Sequence, residues 1–242
     1  MIYLILFSLI FANPSCDVNG KIYYKKYNLI ISEIDDINKE TIMSFKNVFI
    51  SSREGLFEYD FRLKTKIIPS EDYKLSRSSE DSFALSFIPQ DKPFYYQFDF
   101  KGNLLKKDSI KYKSNDFFKI DNSNKKNDPL YTIINNLSEK NLIDTVYNGV
   151  NLLTYKHPQV IKDAVGEMTF QLFFTRDTLL KTPFNVNDRY LKPFNKYNLT
   201  GMIFTYLSQN RKMIIMISDI REIDKEEISL CNRIIKNISM TK

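Results

Sequence analysis

A chain of 242 residues, 43% hydrophobic and 26% charged, can bury a substantial core and falls outside the composition of disordered chains. Its length suits one large domain or two small ones. The formal net charge of +6 is spread along the whole sequence and mixed with acids, as in Glu33-Ile34-Asp35-Asp36; nucleic-acid binders concentrate charge on one face, so nucleic acid is excluded as a partner and an anionic envelope surface is expected instead.

The N-terminus carries an apolar run from Ile2 to Ala12, broken only by Ser8 and followed by the small, turn-prone Asn13-Pro14-Ser15 and then Cys16. This is the layout of an export signal over residues 1–15, although only the α-amino group supplies positive charge there. The run is too short to span a bilayer, which needs roughly 20 apolar residues, and no later segment is long and apolar enough. The mature chain is therefore expected outside the cytoplasm, in the periplasm, the outer envelope or the extracellular space, without a transmembrane helix. Two processing routes follow. Cleavage after Ala12 or Ser15 gives a free chain. Cleavage before Cys16 exposes a cysteine for lipid attachment, and here the segment resembles bacterial lipoproteins, with Cys directly after the apolar stretch and a small residue before it. Cys231 is the one other cysteine, and in an oxidising compartment the two could pair.

Residues 16–120 read as a β-rich portion. Lys21 to Ser32, Asn47 to Ser52, Gly55 to Phe61, Phe83 to Ile88 and Phe94 to Phe100 are rich in β-branched and aromatic residues and bounded by polar turns. In Phe57-Glu58-Tyr59-Asp60-Phe61 the rings alternate with the acids, which predicts a sheet with one wet face. With no helical crossover between the runs, an antiparallel meander is the economical topology. The turn Asp99-Phe100-Lys101-Gly102-Asn103-Leu104 resembles Asp17-Val18-Asn19-Gly20-Lys21-Ile22, and Leu56 to Arg62 lines up with Tyr95 to Lys101. That spacing matches a propeller blade, but the second half does not continue it, so recurring hairpin chemistry is the reading adopted.

Residues 121–128 are polar and mark a linker. The portion 129–242 is expected to be α+β. Asp128-Pro129 starts a helix striped by Ile133, Ile134, Leu137, Leu142, Ile143 and Val146 and closed by Asn148-Gly149. A strand over Val150 to Tyr155 and a short helix from Pro158 to about Val165 follow. Strands are predicted over Met168 to Phe174, Met202 to Leu207 and Met213 to Ser218, the last two as a hairpin. Asp224 caps a terminal helix with Glu227 completing a capping box, and Ile228, Cys231, Ile234, Ile235 and Ile238 form its buried stripe against that hairpin. The fold class expected is α+β: an N-terminal antiparallel β-meander, then a C-terminal portion with helices packed on an antiparallel sheet.

No local motif gathers catalytic groups. His157 is the only histidine, placed at an expected helix start as an exposed or capping ring. Ser123-Asn124-Lys125-Lys126 has the serine–lysine hydrolase spacing but lies in a polar loop that leaves its lysines charged. Asp36, Asn38 and Glu40 imitate the start of a calcium loop without its glycine and terminal acid, and Asp121-Asn122-Ser123-Asn124 puts Lys125 where a ligand oxygen belongs; neither is taken as a metal site. No cofactor is expected. The most distinctive polar segment runs from Thr182 to Asn198, repeating Pro-Phe-Asn and interleaving Arg189, Lys192 and Lys196 with Tyr190, Phe194 and Tyr197. Arg189, Tyr190, Lys192, Phe194 and Tyr197 are the candidate binding residues, since rings bury area at low entropy cost and long cations pair with acidic partners. The competing structural role is that Phe184 and Phe194 turn inward and fasten the connection. The function expected is that of an exported, non-enzymatic protein acting through protein or cell-envelope surface contacts. The alternative is an exported hydrolase with a carboxylate pair and no histidine.

Overall fold

The computed structural model describes residues 23–67, 75–89, 94–109, 137–162, 166–186 and 197–240. The aromatic and β-branched runs form strands β1 (Lys25–Asp35), β2 (Thr41–Ser51), β3 (Gly55–Ile67), β4 (Leu75–Pro89), β5 (Phe94–Phe98) and β6 (Leu104–Ser109). They are followed by β7 (Ile143–Tyr147), β8 (Val150–Lys156), β9 (Ile161–Lys162), β10 (Glu167–Thr175), β11 (Asn198–Tyr206) and β12 (Arg211–Glu222), then helix α1 (Lys225–Met240). All twelve strands belong to one antiparallel sheet, ordered β6-β5-β4-β3-β2-β1-β12-β11-β10-β8-β7, with β9 paired to β10. The strands of the N-terminal portion are each bonded to their neighbours in sequence. The two portions join where β12 returns beside β1, from Lys25 opposite Glu222 to Asp35 opposite Arg211.

Because successive side chains alternate between faces, the sheet builds two main cores, with a smaller cluster of Leu152, Phe173 and Met216 besides. One runs through Tyr27, Leu29, Phe49, Leu56 and Ile88 into Ile215, Met202, Phe170, Leu172 and Leu153, and is topped by Leu137, Leu180 and Phe184 from connections. On the opposite face of β2 to β5, Ile50, Phe57, Leu85, Phe87, Tyr96 and Phe98 meet Cys231, Ile234 and Ile235 of α1. The Phe57 and Phe87 rings lie 4.6 Å apart, within the range of favourable aromatic pairs.

The α+β expectation is overturned. Strands of both portions share a single, predominantly antiparallel sheet, and α1 is the one α-helix among the described residues. Of the helix expected over residues 129–149, the described part holds a 3-10 turn at Glu139–Asn141 and then the β7–β8 hairpin. Asn148 and Gly149 both have positive φ, 48° and 78°, which builds the tight two-residue turn of a hairpin rather than the end of a helix. Of the helix expected from Pro158 to about Val165, the described part instead holds β9, paired through Ile161 and Lys162 with β10. The terminal helix forms where expected, but not on the β11–β12 hairpin. Its polar anchors lie on the other half of the sheet, where Arg233 donates to the Lys101 carbonyl at 2.8 Å and Asn237 donates to the Gly102 carbonyl at 3.4 Å.

The Asp99 turn is the β5–β6 hairpin that its chemistry predicts. Asp99 Oδ1 accepts from the backbone N–H groups of Lys101 and Asn103 at 2.9 and 2.8 Å, and Gly102 takes a φ of 84°. A Cβ on Gly102 would stand 3.0 Å from Cδ of Arg233, so glycine also lets α1 approach. The rejected calcium-like segment is the β1–β2 turn, where Asp35 Oδ1 accepts from the N–H groups of Ile37 and Asn38 at 2.9 and 3.0 Å. Asp17 to Ile22, the linker 121–128 and the serine–lysine spacing lie outside the described residues, and no described helix is long and apolar enough to cross a membrane.

Candidate functional site

The connection from β10 to β11 contains the basic and aromatic segment, and its two ends are built first. At the β10 side Asp177 makes a tight turn, its Oδ1 accepting from the N–H groups of Leu179 and Leu180 at 3.0 and 3.2 Å. At the β11 side Asn198 Nδ2 donates back to the carbonyls of Asp177 and Leu180 at 3.1 and 2.9 Å, and Thr182 Oγ1 donates to the Leu199 carbonyl at 2.8 Å. The two ends are thereby tied together.

This base is also tied across the sheet to β1, to Tyr23 just before it and to β2, far away in sequence. Tyr23 donates to Asp177 Oδ2 at 2.9 Å, Tyr27 donates to the Lys181 carbonyl at 2.9 Å, and Ser51 Oγ accepts from Lys181 N–H at 2.7 Å. Burial, reinforced by Asp177 for Tyr23 and by Glu58 for Tyr27, pushes both phenols well above their ordinary pKa, so both remain protonated donors. Leu180 and Phe184 insert into the core, which is the fastening role foreseen for Phe184.

Of the candidate binding residues, Tyr197 is half-buried and packs against the core. Arg189, Tyr190, Lys192 and Phe194, together with Cys16, lie outside the described residues. The sequence reading missed Tyr23, Tyr27 and Ser51 as anchors, because a strand tyrosine with a long-range backbone acceptor has the same local pattern as one that only packs. Thr182 and Asn198, at the two ends of the singled-out segment, were the available signal.

His157 is neither exposed nor at a helix start. Its ring stacks on Phe170 with centroids 4.9 Å apart and planes 9° from parallel, and Nδ1 lies 2.8 Å from the Tyr155 hydroxyl. Burial lowers its pKa from the ordinary value, favouring the neutral ring. No cluster of three or more metal-ligating side chains occurs among the described residues. Two further carboxylates are engaged: Asp60 accepts from Ser86 and Gln97, and Glu227 accepts from Lys26 and Tyr59. Cys231, whose thiol pKa is raised mainly by burial, is a free thiol inside the second core.

No protein-family model matches the chain, and no curated protein matches it. Among solved structures it is similar to one described as an outer membrane lipoprotein-sorting protein domain from Vibrio parahaemolyticus, at 11% identity over 87% of this chain and 91% of that one, with a TM-score of 0.21. It is also similar to a DUF1329 family protein from Desulfovibrio piger, at 11% identity over 84% of this chain and 86% of that one, with a TM-score of 0.23. Likeness of this degree assigns no activity.

Proposed function

We propose that this chain is an exported, non-enzymatic protein that acts through protein or cell-envelope surface contacts, with Arg189, Tyr190, Lys192, Phe194 and Tyr197 supplying the contact. The N-terminal apolar run gives the address, and Cys16 is the position at which lipid attachment would hold the chain to a membrane. The observation that carries the contact is the tied base of the β10–β11 connection. Asp177, Leu180 and Phe184 on one side and Asn198 on the other are fixed to the sheet, so the intervening basic and aromatic residues start and finish on a rigid support. Loops held by a rigid scaffold are the usual carriers of binding residues.

The test is capture of a partner from the native envelope fraction by the wild-type chain and by Arg189→Ala/Lys192→Ala. Loss of capture with an unchanged unfolding midpoint is expected, as for exposed substitutions. Equal loss of folding, or capture at the wild-type level, would contradict the contact.

A further inference from the structure

Among the described residues, strand β6 ends the sheet opposite β7, and the β5–β6 hairpin exposes more apolar surface than an edge requires. Leu104 and Leu105 are 53% and 54% exposed, and Phe94 and Phe100 are 41% and 43% exposed. Lys101, Lys106 and Lys107 are exposed among them. The acids of the hairpin do not cancel all of this charge. Asp99 is drawn into its own turn, and Asp108 pairs with Lys106 at 2.8 Å. Lys107 instead lies over the rings of Phe94 and Tyr96 at 5.3 and 5.4 Å, and Arg233 of α1 adds a cation at the Lys101 turn.

Edge lysines alone would serve to block pairing with another chain. That role does not need two adjacent leucines more than half exposed, flanked by rings. Exposed apolar tips interleaved with cations whose stems lie along aromatic faces suit the boundary between anionic headgroups and acyl chains, where rings anchor and lysines meet negative charge. We propose that the Phe94–Ser109 hairpin is a docking surface for an anionic lipid bilayer, with Leu104, Leu105 and Phe100 entering the interface and Lys101 and Lys107 meeting the headgroups. This rests on the envelope address proposed above, but not on the contact residues of the β10–β11 connection.

The chain contains no tryptophan, so Leu105→Trp in the full chain places a single reporter on the hairpin. Val146→Trp places one on the exposed face of β7 at the opposite edge. Each is mixed with vesicles of phosphatidylcholine alone or of phosphatidylcholine with phosphatidylglycerol. The expected result is a blue shift and quenching by brominated lipid for Leu105→Trp with the anionic vesicles, reversed by salt, and no shift for Val146→Trp. Adding Lys101→Ala and Lys107→Ala should weaken the response on the order of twentyfold, about fivefold for each lysine near an anionic surface. Adding Arg189→Ala and Lys192→Ala should leave it unchanged, which separates this surface from the contact residues. No shift at Leu105→Trp and at Leu104→Trp alike, equal shifts at both edges, or equal shifts with both vesicles would overturn the proposal.

Discussion

Glu227 was expected to turn back and close the first turn of its helix, and it does something else. Its backbone N–H takes the Asp224 carboxylate at 2.8 Å, as a cap requires, while its own carboxylate accepts from Lys26 on β1 and Tyr59 on β3. The residue types and spacing for capping were legible in sequence; the two long-range partners were not, because a capping glutamate and a bridging one share the same local context. Further along the same helix Ile234 and Cys231 are fully buried. Ile234→Ala should cost about 2–5 kcal/mol in urea unfolding, and Lys236→Ala should cost little. Cys231 should react with a thiol reagent only after unfolding, since its sulfur is enclosed and its thiolate disfavoured. Rapid labelling of the folded chain would show the stripe uncovered. His157 gives a second residue-scale expectation. Its pKa is lower folded than unfolded, so the unfolded chain binds more protons in the window just below about 6.5, the ordinary imidazole value. Stability should fall as pH drops through that window and level off below the folded pKa. Because it is the only histidine, the difference between wild type and His157→Gln isolates the effect. Identical pH dependence of the two unfolding midpoints would contradict the burial of the ring.

Strand placement followed from alternation and aromatic density, as in β3, β5 and β10, but the wet face expected from the acids of β3 is overturned: Glu58 is buried, and Leu56 and Phe57 enter cores on opposite faces of the sheet. The failures were local conflicts of period. Leu142, Ile143 and Val146 fit a helical stripe, but in the β7–β8 hairpin Ile143 and Val146 fall on opposite faces of the strand and both are exposed. Asn148-Gly149 is equally suited to ending a helix and to turning a hairpin, and the strand that follows it decides for the hairpin. The β10–β11 connection is structural at its base as well as a proposed contact at its tip. Phe184 is buried there beside Tyr27 and Leu180 in the first core. Phe184→Ala should therefore destabilise the fold by about 3–5 kcal/mol, read from the denaturant midpoint. A change within the error of the measurement would mean that the connection is not fastened through this ring.

At the scale of the molecule, what could not be read was that the last strand returns to the first. Neither β1 nor β12 has a composition that names its partner; the ladder from Lys25–Glu222 to Asp35–Arg211 arises because both are long, carry a continuous apolar centre (Leu29 to Ile31 and Met213 to Ile217) and are left with an unsatisfied edge until they meet. This closure makes one sheet of two portions and leaves α1 to cover the face beside β2 to β5. A chain so organised commits its buried aromatic and aliphatic residues to the two faces of one sheet, while the apolar run Ile2 to Ala12, broken only by Ser8, stands at the N-terminus with the features of an export signal. The proposed function depends on that address more than on any single side chain. Mass spectrometry of the protein purified from its native host tests it most directly. The account predicts a mature chain beginning at or before Cys16 and lacking Met1, and an intact Met1 would contradict it.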